Sequence, residues 1–351
     1  MKSKKLLIGW CALAALAPPV RVVGQQQCSS CRFVLVEQVK LSSAAAEVTP
    51  STDASVARLP NGTYVVSHRF ATPALLLYDA RGRLLRSHVQ RGMGPGELSS
   101  PPRVFVGPDG LLAAFSGNRL IRFDTTLQHV STIKVDVAPR TYAVFMRNGL
   151  IAVDAPIRTD DGNTFTFHLL SAAGTLEKSL EPTRQPTGPM LIAGSADGLW
   201  VARRNDSYLR LYSERGELIR SLRIDRDWFR PWSAPLQGEG LTLKPRPRKV
   251  QLVQRDSRTI VVLTLVADEN WSPPVESVQQ PLAGLNTLQP ADLWDTVIEA
   301  VDTSTGEVQA SGRSQHMLQS VEGTAHEFYS TAIGEAGHVT ITIWRLELRP
   351  R

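Results

Sequence analysis

Cysteine is scarce in this sequence, and its placement excludes most cysteine-based sites. The chain has three cysteines, of which Cys28 and Cys31 form one C-x-x-C pair. A zinc site would need two further ligands, and no second C-x-x-C or paired histidine supplies them. Haem attachment would need His where Arg32 stands, and a thioredoxin-like motif would need a following helix, whereas the run FVLV reads as a strand. We expect a local disulfide between Cys28 and Cys31, or two exposed thiols, and no metal site.

A surplus of charge of one sign is also missing. The sequence has 39 Lys and Arg against 33 Asp and Glu. Four of the basic residues lie in the first 24 positions, which hold no acid, so the remainder has 35 against 33 and a net charge of +2. This balance does not favour a nucleic-acid partner. Charged residues make up 21% of the chain and hydrophobic residues 42%, which is typical of a globular protein and not of a disordered one.

Long hydrophobic runs are absent except at the N-terminus. Three lysines precede a 12-residue apolar run at positions 6–17, and two prolines and the sequence VVG follow it before position 25. This pattern predicts a signal peptide over 1–24, cleaved after Gly24. The alternative is an N-terminal membrane anchor, but the run is too short for a hydrocarbon core of ~30 Å. We expect no membrane span and a secreted or periplasmic location.

Sustained helical periodicity is missing as well, and a strand repeat takes its place. Each repeat has an apolar strand, a turn ending in Gly, a second strand, a third strand after a polar stretch, and a polar turn into a fourth strand. The third strands end near Tyr78, Phe123, Leu170 and Tyr212, at spacings of 45, 47 and 42 residues. Four short strands at this period are typical of a β-propeller blade.

The remaining chain predicts two more blades, of which the last lacks one strand. One blade spans 250–311 with an insertion, and the last has three strands at 317–321, 328–333 and 339–348. A strand at 33–41 would supply the fourth and join the two ends of the chain, which removes two free sheet edges. The predicted fold is an all-β, six-bladed β-propeller over 33–351, closed by an N-terminal strand, with a C-x-x-C segment at 25–32 before it.

Several motifs resemble one family. They are the linker RGMGPGEL at 91–98, GPDG at 107–110, LIRFD at 120–124, DWF at 227–229 and DTVIEAVDTSTG at 295–306. Together they resemble the six-bladed, NHL-like β-propeller proteins that bacteria secrete. The resemblance covers about residues 33–350 and implies the fold, but it implies little about activity. The chain departs from the family pattern where Leu98 replaces the usual Phe, and where Ser171 stands in place of an Asp that ends a third strand.

Two long insertions, at 225–249 and 268–293, are candidates for a binding surface. Connections between blades and connections between second and third strands open on one face of a propeller, so both insertions should lie on that face. They concentrate Trp and Arg, which are enriched in binding hot spots. The alternative is that the tryptophans pack the insertions onto the propeller. The candidate ligand-binding residues are Arg226, Trp228, Arg230, Trp232, Trp271 and Trp294.

The sequence offers little sign of catalysis. The six predicted first strands, which line the channel of a propeller, contain no Asp, Glu or His, so we expect no metal site and few polar groups to orient a ligand there. No G-x-S-x-G nucleophile motif occurs, and no catalytic residue or cofactor is assigned. We expect an exported, monomeric binding or scaffold protein that presents its loop face to a protein, peptide or glycan. The alternative is a hydrolase or lyase whose acidic site is borne by the loops, at Asp268, Glu269, Asp292 and Asp295.

Overall fold

The computed structural model of the chain describes residues 31–42, 51–183, 190–195, 197–233, 243–272, 293–334 and 338–350. The elements within these ranges are β-strands. The predicted signal peptide, Cys28, Asp292 and the central parts of both insertions lie outside the described residues.

Four sheets are four-stranded antiparallel meanders, in which each strand pairs with the next one along the chain. The first is β2 (Ala54–Arg58), β3 (Tyr64–His68), β4 (Leu75–Tyr78) and β5 (Leu84–His88). The second is β6 (Arg103–Val106), β7 (Leu112–Ser116), β8 (Arg119–Phe123) and β9 (His129–Lys134). The third is β10 (Ala143–Phe145), β11 (Ile151–Arg158), β12 (Thr164–Leu170) and β13 (Leu176–Thr183). The fourth is β14 (Met190–Ser195), β15 (Gly198–Arg203), β16 (Tyr208–Tyr212) and β17 (Leu218–Arg223).

The fifth sheet has eight strands. Its spatial order is β18 (Arg248–Gln254), β19 (Thr259–Ala267), β20 (Trp294–Asp302), β21 (Val308–Ser314), β1 (Cys31–Ser42), β24 (Val339–Pro350), β23 (Glu327–Ile333) and β22 (Gln319–Ser320). The predicted pairing of the N-terminal strand with the C-terminal strand is confirmed, since β1 runs antiparallel to β24 from Cys31↔Pro350 to Ser42↔Thr340.

The structure therefore has five hydrogen-bonded sheets where the sequence predicts six. The reason is that β1 pairs on both sides. Besides β24 it contacts β21, in a short parallel pairing at Cys31↔Ala310 and Arg32↔Ser311. This pairing merges two groups of four strands into one sheet.

The hydrophobic core lies between successive sheets, which gives a propeller-like arrangement. The first and second sheets pack through a cluster that includes Leu77 and Ile121. The eight-stranded sheet has two halves, β18–β21 and the strands β1, β24, β23 and β22. These halves also pack on each other, with Leu263 and Phe328 in one cluster. The second half in turn packs on the first sheet through a cluster that includes Tyr329. Buried apolar layers of this kind supply most of the free energy that stabilises such a fold.

The glycine-rich linker at 91–98 is a turn that the second sheet holds in place. The guanidinium group of Arg119, on β8, donates to four of its carbonyl oxygens, those of Gly92, Met93, Gly94 and Glu97, at 2.7–3.1 Å. The Glu97 carboxylate accepts from the Gly94 N–H at 2.8 Å, so it bonds within the linker. Leu98 is fully buried between the first two sheets.

In the part of the chain that the structure describes, no helix has the length and apolar character needed to cross a membrane.

Candidate functional site

The first strands of the sheets surround a channel, and the larger of two cavities in it lies at the end where these strands begin. Its lining includes Ser55 of β2, Arg103 of β6 and Val250 of β18. The cavity has a volume of about 400 Å³, within the ~300–1,000 Å³ of small-molecule sites. Both insertions leave their sheets at this same end, because one follows β17 and the other joins β19 to β20. We call this cavity the mouth cavity.

Four arginines from four sheets line the mouth cavity. Arg69 follows β3, Arg103 begins β6, Arg140 precedes β10, and Arg204 follows β15. Arg103 donates its Nε–H to the carbonyl oxygen of Arg140 at 3.2 Å. Within the described ranges neither Arg103 nor Arg140 forms an ion pair. Their guanidinium groups are therefore available to an anion, for which the planar donor fork of arginine is well suited.

Arg69 is held at the rim by a neighbouring acid. It forms an ion pair with Asp53 at 3.4 Å, and its guanidinium group lies over the ring of Phe70 at 4.8 Å. The Phe70 side chain is 78% exposed, and its backbone has a φ of 58°. A bulky residue in this left-handed region is strained, and such strain clusters at ligand contacts. Phe70 thus presents an exposed aromatic ring beside Arg69.

A partition closes the inner end of the mouth cavity. Five residues line both this cavity and a second one of about 280 Å³ at the opposite end of the first strands: Phe105, Tyr142, Gln251, Ser320 and Glu322. The Tyr142 hydroxyl donates to the carbonyl oxygen of Val250, and Gln251 exchanges two hydrogen bonds with Ser320. The first bond joins the third sheet to the eight-stranded sheet, and the other two join opposite ends of the eight-stranded sheet.

Asp154 fixes the turn that carries Arg140. It is fully buried on β11, and its Oδ1 accepts the N–H groups of Thr141 and Tyr142. Burial raises the pKa of Asp154 to about 7, against which these two hydrogen bonds act. Its Oδ2 is buried without a hydrogen-bond partner among the described residues. The Asp154 carboxyl group therefore positions Arg140 and Tyr142 without lining the cavity itself.

Glu322 is the acid of the partition. Its main chain bonds to the first sheet, because its N–H donates to Val56 and its carbonyl oxygen accepts from Arg58. Burial raises the pKa of Glu322 to about 8, and the positive charge of Arg103 acts in the opposite direction. Removing a carboxylate from water disfavours its charged form, which is the physical cause of the increase.

Three of the residues proposed from the sequence are engaged in packing. The Arg226 guanidinium group forms an ion pair with Glu299 at 2.6 Å. The Trp232 indole N–H donates to the Pro247 carbonyl oxygen at 3.0 Å and thereby joins the two described ends of the first insertion. Trp294 is 7% exposed, and the Arg248 guanidinium group lies 4.0 Å from its ring centre.

The other three residues differ in exposure. Trp228 is 39% exposed and lies edge to face with the buried ring of Phe229. Arg230 is exposed, and Trp271 is half-buried with no hydrogen-bond partner for its indole N–H in the described part of the chain. The structure thus brings these six residues to the bases of the two insertions, and among them Trp228 and Arg230 have the exposed side chains.

Two acids of the catalytic alternative, Asp268 and Asp295, are bonded to other groups. Asp295 is buried on β20 and bonds to Arg313 at 2.6 Å. Burial raises the pKa of Asp295, and Arg313 opposes the increase. Asp268 accepts the N–H of Asn270 in its own turn at 2.7 Å. Among the described residues no group of three or more His, Cys, Asp or Glu side chains could hold a metal ion.

The expectation that the channel offers few polar groups is wrong. Arg103 begins a predicted first strand, but it is neither an acid nor a histidine, and the expectation depends on those residue types alone. Glu322 stands one residue beyond the predicted strand at 317–321. Arg69, Arg140 and Arg204 lie in connections between strands and share no local motif, so only a count of arginines at strand ends facing the channel could have indicated them.

Comparison with solved structures supports the fold. A member of the DUF4221 family from Bacteroides vulgatus aligns with a TM-score of 0.61 at 10% identity, over 92% of this chain and all of that one. A protein from Bacteroides fragilis that is described as exported aligns with a TM-score of 0.55 at 10% identity, over 91% and 96%. A protein of unknown function from Dyadobacter fermentans aligns with a TM-score of 0.51 at 11% identity, over 90% and 99%.

No protein-family model and no curated protein matches the sequence. At these identities the solved structures show a common fold alone. The chain is an all-β protein with a propeller-like arrangement of sheets, similar in fold to these proteins of Bacteroides and Dyadobacter.

Proposed function

We propose that this chain is an exported, six-bladed propeller that binds a ligand without transforming it, and that an anionic group of the ligand is held in the mouth cavity. In this proposal each half of the eight-stranded sheet is one blade, and β1 completes the last blade. The packing of the two halves on each other, like that of separate neighbouring sheets, supports the count of six. The likeness to an exported protein and the predicted signal peptide support the location.

The observation that carries the proposal is the set of four arginines, one from each of four sheets, around a single cavity. Arginines that serve only as solubilising charge would not converge, because like charges repel at short range. A carboxylate or other oxyanion placed among them would relieve this repulsion and gain charge-assisted hydrogen bonds. A partly enclosed site strengthens such bonds relative to those in bulk water.

The face that carries the two insertions supplies the remaining proposed contacts with the ligand. Trp228 and Arg230 are exposed at the base of the first insertion, and the Lys249 N–H at its end donates to the carbonyl oxygen of Arg204, a residue of the mouth cavity. A protein, peptide or glycan with an acidic group could place that group in the cavity and lie along this surface. We propose Trp228 and Arg230 as its outer contacts, whereas Arg226, Trp232 and Trp294 support the loops.

Titration calorimetry of the mature protein with a panel of carboxylates, including acetate, succinate and glucuronate, tests this proposal. The variant Arg103→Gln/Arg140→Gln should weaken binding about tenfold or more, since each lost charge-assisted bond is worth about 1.5–3 kcal/mol. The matched control is Arg81→Gln/Arg215→Gln, which removes the same charge from two exposed turns. Equal losses in both variants, or no binding by the wild type, would contradict a site at the mouth cavity.

A further inference from the structure

Glu322 lies at the inner end of the mouth cavity and is the acid there without a partner. Among the groups that line this cavity, Asp53 is the other acid, and it pairs with Arg69. The Glu322 side chain forms no hydrogen bond or ion pair with any described residue, and its charged neighbour is Arg103. A carboxyl group in a partly enclosed site without a partner is costly to ionise, so its presence requires an explanation.

Arg103 is the cation whose charge acts on Glu322, but among the described residues the two side chains form no ion pair. Tyr142 and Tyr329 line the same cavity, and their hydroxyls already donate to the carbonyl oxygens of Val250 and Ala54. Arg69, Arg140 and Arg204 line the same cavity, with Arg69 engaged by Asp53 and Arg103 donating to the Arg140 carbonyl. The cavity therefore has positive groups around its opening and one uncommitted acid at its inner end.

From this arrangement we infer that the ligand is a zwitterion, with an ammonium group that pairs with Glu322 while its acid group is held by the arginines. Free amino acids and peptides with a free amine have this chemistry. The inference rests on the proposed function, since it assigns the second charge of the ligand at the same site. A simple dianion would place one of its charges near Glu322, where like charges repel. A zwitterion instead complements both ends of the cavity.

The test compares ligands that differ only in the amine. Titration calorimetry at neutral pH should use butyrate against γ-aminobutyrate and caproate against ε-aminocaproate, because the two lengths sample different charge separations. In at least one pair the amino acid should bind about tenfold more tightly than its alkanoate. Since pairing with the ammonium group ionises Glu322, that binding should release close to one proton, which is measured as a dependence of the heat on the buffer.

The variant Glu322→Gln separates this inference from the proposed function. It should bind the alkanoates as the wild type does, while the amine preference and the proton release disappear. Glu347→Gln, which removes a partly exposed acid on β24, is the matched control and should keep both. If the wild type binds alkanoates as tightly as their amino counterparts, the zwitterion is wrong and the anion site stands. If it binds neither class, the proposed function fails as well.

Discussion

At the scale of single residues, two carboxyl groups beside the channel are harder to ionise than in water because they are buried. Asp154 is buried behind the turn that carries Arg140, and Glu322 lies in the partition. Burial raises their pKa values to about 7 and about 8, from ordinary values of 3.8 and 4.5. A carboxyl group that keeps its proton in the folded state stabilises that state less as pH rises, because the unfolded chain releases the proton first.

The free energy of unfolding should therefore fall with pH through these two groups. The contribution of Asp154 is fully present below about pH 4 and is lost by about pH 7, which corresponds to a loss on the order of 2–4 kcal/mol. In Asp154→Asn the difference from the wild type should change across this window. Chemical denaturation at a series of pH values measures it, with Asp197→Asn at an exposed position as the control. A constant difference between Asp154→Asn and the wild type would show that Asp154 ionises normally.

At the scale of secondary-structure elements, the N-terminal strand lies directly over the turn between β4 and β5. A Cβ atom added at Gly82 would lie 2.2 Å from the carbonyl oxygen of Lys40 and 2.9 Å from a methyl carbon of Val39, both on β1. Gly82 also has a φ of 81°, which side chains rarely adopt. Gly62 has nearly the same φ, 84°, but nothing lies within 4 Å of its added Cβ.

A comparison of Gly62 with Gly82 separates the cost of backbone strain from the cost of the contact with β1. Gly62→Ala should lower the free energy of unfolding by about 1–2 kcal/mol through the left-handed backbone alone. Gly82→Ala should cost a further ~1–3 kcal/mol, because the Lys40 carbonyl belongs to the main chain and cannot move aside cheaply. Urea denaturation of both variants measures the difference. Equal costs would mean that β1 does not lie over this turn.

The glycine-rich linker is visible in the sequence, but the side chain that holds it in place is not. It forms a tight turn between the first two sheets. What holds it is Arg119 from the next sheet, through four carbonyl oxygens. The glycines leave room for the Glu97 carboxylate, since a Cβ at Gly92 would lie 2.1 Å from its Oε2. The glycines of the motif therefore leave room for the Glu97 side chain, whereas the cation that stabilises the turn, Arg119, comes from another part of the chain.

At the scale of the whole molecule, β1 pairs with the C-terminal strand β24 on one side and with β21 on the other. Without it, β24 would keep β23 but lose its second antiparallel partner, and β21 would lose its short parallel pairing at Ala310 and Ser311. Both would then present unpaired N–H and C=O groups, which are templates for association with other chains. Contact between the sheets on either side would also weaken, since Phe33 and Leu35 pack on the cluster between the two halves of the eight-stranded sheet.

A chain that begins at residue 43 should therefore associate and unfold at a lower temperature than a chain that begins at residue 31. Light scattering during size-exclusion chromatography measures the association, and thermal denaturation followed by circular dichroism measures the stability. Addition of a synthetic peptide of residues 31–42 should restore part of the stability by mass action. A shortened chain that stays monomeric with an unchanged melting temperature would contradict closure by β1.

The sequence by itself determined the strand repeat, the turns and the pairing partner of the N-terminal strand. These features depend on neighbours in the chain: side chains alternate with a period of two, and glycine permits the turn conformations that L side chains resist. The same reasoning placed both insertions at one end of the channel, because the connection between two given strands always opens at the same end of a meander.

The content of the candidate site was decided by tertiary structure alone. Arg69, Arg103, Arg140 and Arg204 belong to four sheets, and no local pattern relates them. Trp232 and Trp294 resemble binding residues in the sequence, but their partners Pro247 and Arg248 show that they pack the insertions. The raised pKa of Glu322 likewise depends on burial by several sheets. Convergence and burial arise only when the sheets surround the channel, because charge interactions and desolvation depend on distance in space and not on spacing in the chain.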